Sequence, residues 1–472
     1  MRNCELGIRN AAHPPANFIR EEFGNSEFRL PISEFKAVGL LKRIVAVEES
    51  EVRPMLWAAL YYFLVLAAYF VIRPIRDEMG IAGGVRNLPW LFLGTLLGML
   101  LIHPLFTALV SRLPRRLFIP LSYTFFAANL IAFWLLFLII SEDAGIWAGR
   151  VFFVWTSVFN LFVVSIFWSL MADLFKPAQA KRLFGFVAVG GTVGAVVGSS
   201  VTAFLAARVG PTNLLLVSAA ILGLAMLVAR KLMSIASKSR VDDDPLRPPT
   251  AQIERPVGGG VFDGIRTVFS SNYLLGIVCY MLLYTITATF LYFQQAEIVE
   301  ATFSDRVART IFFARIDLVV NILTALTQIF LTGRIVRRIG VALSLATLPL
   351  VCILGFAALG VAPTLIAIAV FQVLRRWSNY AIARPCREML YTVLPRSAKY
   401  KAKNFIDTFV YRFGDQVGAW SYVGLGALGL GAAAISLVAV PLAAGWMVIG
   451  LWLGRQQQEM ATTPIAPGTN PD

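Results

Sequence analysis

Five stretches of this sequence carry ionisable and amide side chains inside runs that are otherwise apolar. In the first, Tyr62, Tyr69, Arg73 and Arg76 follow helical spacing, with Asp77 and Glu78 beside them. A second carries Arg150 and Asn160. A third sets Asp317, Asn321, Thr324 and Gln328 on one helical face, with Arg315 just before it. The fourth places Gln372, Arg376 and Asn379 on one face, with Arg375 adjacent. In the last, Lys403, Asp407, Tyr411 and Asp415 recur at i+4 steps, with Arg412 next to them. An ionisable group inside a membrane span costs about 2.5–3.5 kcal/mol on insertion scales, so such groups face a polar cavity and one another. Some of them can be internal salt bridges that lock helices: Lys403 with Asp407, Arg412 with Asp415, Arg315 with Asp317. The arginines nevertheless exceed the embedded acids Asp173, Asp317, Asp407 and Asp415. A cationic surplus stays unneutralised until an anion enters, and the guanidinium fork suits phosphate or carboxylate. The expected binding set is therefore Arg73, Arg76, Arg150, Arg315, Arg375, Arg376, Lys403 and Arg412, with Asp77, Asp317, Asp407 and Asp415 as coupling or ion-pair groups.

The elements that position these groups are read from hydropathy. About 20 apolar residues span a bilayer, and this chain of 472 residues, 58% hydrophobic, offers twelve such stretches. They are expected at 55–74, 87–110, 117–140, 147–172, 183–207, 212–233, 272–296, 310–333, 340–361, 363–383, 404–428 and 430–454. Basic residues fall on alternate connections: Arg112, Arg115 and Arg116; Lys176, Lys181 and Arg182; a central loop from Arg230 to Arg266; Arg334, Arg337 and Arg338; and Arg387 through Lys403. The other connections are poor in Lys and Arg, and one carries only Glu142 and Asp143. Because short loops rich in Lys and Arg stay inside, both termini and the middle loop are expected in the cytoplasm of a cell (inner) membrane protein.

Residues 234–266 interrupt the pattern with serines, the acidic run Asp242–Asp244, four prolines and Gly258–Gly260, the composition of a linker. Six spans are expected on each side, in halves 54–233 and 267–454. Ahead of them lies a cytoplasmic extension, 1–53, with an interfacial helix near Phe35–Val47, and behind them a cytoplasmic tail, 455–472. Arg112-Leu-Pro-Arg-Arg116 recurs as Arg334-Ile-Val-Arg-Arg338, 222 residues later, and Trp155 and Trp377 share that separation. Parallel repeats of this kind are the plan of major facilitator carriers, whose site lies between the halves near mid-membrane. The expected fold is an all-α membrane protein, twelve transmembrane helices in two six-helix halves of major facilitator type. Gly190, Gly194 and Gly198 form a small-residue stripe, repeated by Gly94 with Gly98 and Gly414 with Gly418, that lets helices approach closely in lipid. The Gly190–Gly198 run lacks the Gly-Lys-Ser/Thr ending of a phosphate loop and lies inside an apolar span.

Composition narrows the chemistry further. The net charge of +15 is spread over loops between spans, which leaves no continuous basic face for nucleic acid. Two histidines, His13 and His103, and four scattered cysteines, Cys4, Cys279, Cys352 and Cys386, predict no metal site and no cofactor. Nothing in the membrane region pairs a nucleophile with a base, so enzyme chemistry is not expected.

Three short segments carry a family resemblance. Val71-Ile-Arg-Pro-Ile-Arg-Asp-Glu-Met-Gly80 is similar to the first-span signature of the ATP/ADP translocases of plastids and obligate intracellular bacteria, a nucleotide-exchanging branch of major facilitator-type carriers. Phe167-Trp168 with Ala180-Lys181-Arg182-Leu-Phe184, and Lys403-Asn-Phe-Ile-Asp407 with Arg412-Phe-Gly414, resemble two further segments of that family. The resemblance places Arg76 at the family's first-span lysine and Lys403 at its second essential lysine. Its fourth-span glutamate falls near Thr156, and Gln294 and Gln295 occupy the neighbourhood of its seventh-span glutamate. The reading that follows is a monomeric secondary carrier of an organic anion, a nucleotide or other phosphorylated metabolite. The alternative is a proton-coupled facilitator of unrelated substrate, with Asp317 or Asp407 as proton site.

Overall fold

The computed structural model describes residues 47–175, 177–243, 266, 268–395, 402–403 and 405–462. The expected interfacial helix, most of the 234–266 linker, the end of the tail and the loop cations Lys176, Arg396, Lys399 and Lys401 lie outside them. The described chain is helical. Its first half holds α1 Glu49–Ala82, α2 Leu88–Arg112, α3 Arg115–Ile139, α4 Glu142–Leu174, α5 Pro177–Val209 and α6 Leu214–Asp243. The remainder holds α7 Asn272–Thr302, α8 Arg306–Phe330, α9 Thr332–Val361, α10 Leu365–Ser378, α11 Tyr411–Ala427 and α12 Ala432–Thr462.

Ten of these helices are long and apolar enough to cross a membrane: α1–α9 and α12. The expected tenth and eleventh spans are helical too, but each is broken by a wider turn. A π-helical segment, Asn379–Ala383, joins α10 to a last stretch, Arg384–Leu390, and a second, Ile406–Val410, leads into α11. Turns of this kind gather at functional sites because they re-aim side chains within a continuous helix. They also leave carbonyls without their usual i+4 donor. After α10 these are met from the end of α8 and the start of α9, where Gln328 donates to the Tyr380 carbonyl at 3.1 Å and Thr332 to that of Ala381 at 2.8 Å.

Two ends of the bundle are distinguishable. At one, Glu51 in the first turn of α1 closes a capping box with Glu48 and receives Arg182 and Gln179 of α5, each at 2.9 Å. At the other, α1 runs past Pro74 to Ala82 and turns through Gly84, whose φ of +84° a residue with a side chain rarely adopts.

The neighbours of each helix repeat. As α1 packs on α4, α5 and α6, so α7 packs on α10, α11 and α12; α3 lies on α6 as α9 lies on α12. Across the middle, α5 meets α8 and α2 meets α11. Glycine allows the tightest of these approaches. A Cβ on Gly194 would stand 2.1 Å from the Phe63 carbonyl oxygen of α1, and one on Gly414 would stand 2.0 Å from Thr285 Oγ1 of α7. Here the sequence reading of the stripes as contact faces matches the packing.

Candidate functional site

A cavity of about 890 Å³ opens between the helices that carry the embedded charges. α1 contributes Tyr62, Tyr69, Arg73, Arg76 and Asp77, and α4 contributes Ser157, Asn160 and Trp168. From the other side come Gln295 of α7, Asp317, Asn321, Thr324 and Gln328 of α8, Gln372, Arg375 and Arg376 of α10, and Arg412 and Asp415 of α11. The cavity is closed at the Ala82 end. There Arg306 forks onto Glu78 at 3.0 and 3.2 Å, Tyr292 donates to Asp77 at 3.3 Å, and Trp90 meets the edge of Trp420 with centroids 5.2 Å apart. The lining continues the other way to Trp168, Gln328, Arg384 and Glu388.

Charge is unevenly settled inside. Asp317, 2% exposed, binds two guanidiniums: Arg73 of α1 at 3.1 Å and Arg376 of α10 at 2.6 Å. Arg76 reaches Asp77 at 3.2 Å and lies over the Phe153 ring at 4.0 Å. Arg412 reaches Asp415 at 3.2 Å. Arg375 is buried at 6% exposure, and no carboxylate pairs with it among the described residues. It stands over the Tyr284 ring at 5.3 Å, and its Nε and one terminal nitrogen lack partners. Nε atoms of Arg76 and Arg376 are also buried without acceptors. Six arginines line the cavity against four carboxylates. Neutral amides fill part of the remaining wall, with Gln372 bonded to Gln295 at 2.5 Å and Asn321 to Ser199 at 3.2 Å. A polyanion with oxygens spaced for several guanidiniums would satisfy the orphan donors.

Five of the expected binding residues come together here: Arg73, Arg76, Arg375, Arg376 and Arg412, with the acids Asp77, Asp317 and Asp415. Three others lie elsewhere. Arg315 is exposed and outside the lining, because a residue two positions before Asp317 points to the opposite side of a helix. The expected Arg315–Asp317 pair is therefore replaced by the two cross-helix pairs above. Arg150 sits about 10 Å further along α4 than Ser157, beyond the closed end, where it donates to the Gly83 carbonyl at 3.0 Å. Lys403 pairs with Glu388, not with Asp407, which is exposed and outside the cavity. The π-turn that begins at Ile406 displaces the i+4 register on which that pairing rested. Asp173 pairs with Arg115 outside the cavity. Thr156 is buried and donates to the Phe152 carbonyl, whereas Gln295 does face the cavity. Arg384 and Glu388 were not anticipated; Arg384 lies two helical turns beyond Arg376, past the expected end of its span. Among the described residues no cluster of three potential metal ligands occurs.

Comparison with known proteins agrees with this architecture. Residues 162–382 match the model of the Major Facilitator Superfamily. The chain is 22% identical to ADP,ATP carrier protein 2 of Chlamydia pneumoniae, covering 92% of this chain and 94% of that one. It is 21% identical to ADP,ATP carrier protein 1 of the same organism, over 69% and 72% of the two chains. In three dimensions it is similar to a bacterial homologue of the human lysosomal transporter Spinster in an inward-facing, unoccupied conformation, with a TM-score of 0.56, 15% identity, and coverage of 89% and 100%. The nucleoside transporter NupG superposes with a TM-score of 0.54 at 12% identity, covering 88% of this chain and 100% of that one. The chain thus shares the fold of major facilitator transporters, carries ten helices long and apolar enough to cross a membrane, and is similar to ADP,ATP carriers.

Proposed function

We propose that this protein is a secondary carrier that moves an organic anion, a nucleotide or other phosphorylated metabolite, by alternating access and in exchange mode. The observation that carries the reading is the cavity's cationic excess, with Arg375 buried and without a carboxylate. Its volume falls within the range of small-molecule sites, about 300–1,000 Å³. The similarity to ADP,ATP carriers supports a nucleotide among anions. Exchange follows from the charges. Closing an empty cavity brings Arg73 and Arg76 of α1 towards Arg375, Arg376 and Arg412 with too few carboxylates between them, and like charges repel most at low dielectric. Return with a second anion bound avoids that cost.

The halves 54–233 and 267–454 move against each other in this proposal, and the repeated neighbour pattern supports that division. Both termini and the 234–266 linker are cytoplasmic, the membrane is the cell (inner) membrane, and the working unit is a monomer. The Glu142–Asp143 connection then faces away from the cytoplasm, and the cavity's unclosed side faces it. The proton-coupled alternative finds less support, since Asp317 is committed to two arginines and Asp407 lies outside the lining.

Uptake into proteoliposomes tests the proposal. Labelled ATP, ADP or a smaller phosphate ester should enter much faster when unlabelled anion is inside. Uptake that is indifferent to internal anion but follows a pH gradient would establish the alternative. Impermeant thiol reagents on single cysteines placed at 142–143 and 242–244 should label from opposite faces.

A further inference from the structure

A second crevice, of about 560 Å³, runs along the lipid-facing side of the bundle between α2 and α4. Its polar end is formed by Asn87 and Arg150, flanked by Trp90 and Trp147, both more than half exposed. Deeper in, Gly98, Ile102, Val154 and Val158 make an apolar channel. None of the lining residues is acidic. Two donors in it are unsatisfied. Arg150 donates one terminal nitrogen to the Gly83 carbonyl and lies 4.4 Å from the Trp147 ring, but its Nε is buried with no acceptor. Trp155 Nε1 is buried with none either. The contrast with Trp377, at the repeat separation of 222, is direct: that indole donates to Thr327 Oγ1 at 2.8 Å. An orphan N–H against hydrocarbon costs more than one beside water, because lipid chains offer no acceptor.

The pattern matches one kind of ligand. Paired tryptophans mark the headgroup level of a bilayer. A cation sits at that level, an unpaired N–H lies five residues deeper on the same helix, about 7.5 Å, and an apolar channel continues inward. A glycerophosphate bridges such a separation between its phosphate and its first ester carbonyl. We propose that the α2/α4 crevice is a binding site for an anionic phospholipid. Its phosphate rests on Arg150, an ester carbonyl accepts from Trp155 Nε1, and an acyl chain lies along Gly98, Val154 and Val158. This site is separate from the central cavity and independent of what the carrier transports.

Native mass spectrometry of the full chain in detergent tests it, with phosphatidylglycerol and phosphatidylcholine of identical acyl chains as probes and inorganic phosphate as a third arm. Phosphatidylglycerol should bind the wild type about fivefold more tightly than phosphatidylcholine, the effect of one interfacial cation. Arg150→Gln keeps a donor for Gly83 and should abolish that preference, and Arg150→Lys should retain most of it. Trp155→Phe leaves the charge in place and should weaken both lipids by about fivefold, one hydrogen bond, while the preference survives. Should Arg150→Gln fail to fold, the Trp155→Phe arm alone decides. Equal binding of the two lipids by the wild type, or unchanged lipid affinity in Trp155→Phe, overturns the proposal. So does inorganic phosphate stabilising the protein as well as phosphatidylglycerol does, since a free anion would then suffice.

Discussion

Arg375→Gln should separate two roles that arginines play in this cavity, because its effects on stability and on binding have opposite signs. Arg375 is buried, and no carboxylate pairs with it among the described residues. In the empty protein its charge is therefore a cost, and a neutral amide of similar length should leave the melting temperature unchanged or raise it. With an anion bound the same guanidinium donates charge-assisted hydrogen bonds, each contributing about 1.5–3 kcal/mol. At about 1.4 kcal/mol per tenfold, the variant should lose roughly 10- to 150-fold in affinity. Thermal unfolding of the purified protein, with and without ADP or a phosphate ester, measures the first effect. The concentration dependence of exchange in proteoliposomes measures the second. A variant that melts several degrees lower when empty would show Arg375 to be a structural partner, and unimpaired exchange would remove it from the site.

Asp317→Asn should do the reverse. It leaves Arg73 and Arg376 unpaired, costs about 3–5 kcal/mol in the empty protein, and is partly rescued in a melt by added anion. Gly194→Ala forces a Cβ to 2.1 Å from the Phe63 carbonyl, so it should cost at least about 1–3 kcal/mol and lower the yield of folded protein. Gln328→Leu strips the Tyr380 carbonyl of its donor and should cost about 0.5–1.5 kcal/mol in a melt, with exchange falling because Arg376 and Arg384 flank that turn. For Lys403 and Glu388, partly exposed, a double-mutant cycle should give a coupling of no more than about 1 kcal/mol. The cycle of Lys403 with Asp407 should give a smaller coupling, since the two attract through space without forming an ion pair.

The parts of this molecule set by period and hydropathy were legible in its sequence. Ten of the twelve expected apolar spans, the glycine stripes and the face shared by Asp317, Asn321, Thr324 and Gln328 follow from hydropathy and 3.6-residue repetition, and these are found. What sequence did not show was which cation meets which carboxylate. Asp317 has a neighbour in the chain, Arg315, but its partners lie 244 and 59 residues away, chosen by how α1 and α10 rotate onto α8. Arg150 falls outside the cavity despite its place in a span, because depth within a span is invisible in sequence without knowing where the cavity ends. The π-turns left no trace in composition, and they shifted Lys403 to Glu388 and placed Arg384 in the lining.

The glycine contacts of α5 on α1 and of α11 on α7 have a mechanical meaning. In the first, main chain rests against main chain, and in the second Gly414 sits directly on Thr285; with so little side-chain freedom to absorb relative sliding, each pair behaves as a single stiff member with one set of rigid-body coordinates. The bearing surfaces of any transport cycle must then lie between members, at the α5–α8, α1–α8 and α2–α11 contacts, and not within them. Arg73 rides on one member, Arg412 on the other, and Arg376 on the helix packed behind. Distances between guanidiniums on different members become the quantities that a stroke alters, whereas those along one helix are fixed lengths of the machine. Spectroscopic labels on α1 and α5 should accordingly keep a constant separation while labels on α1 and α11 do not.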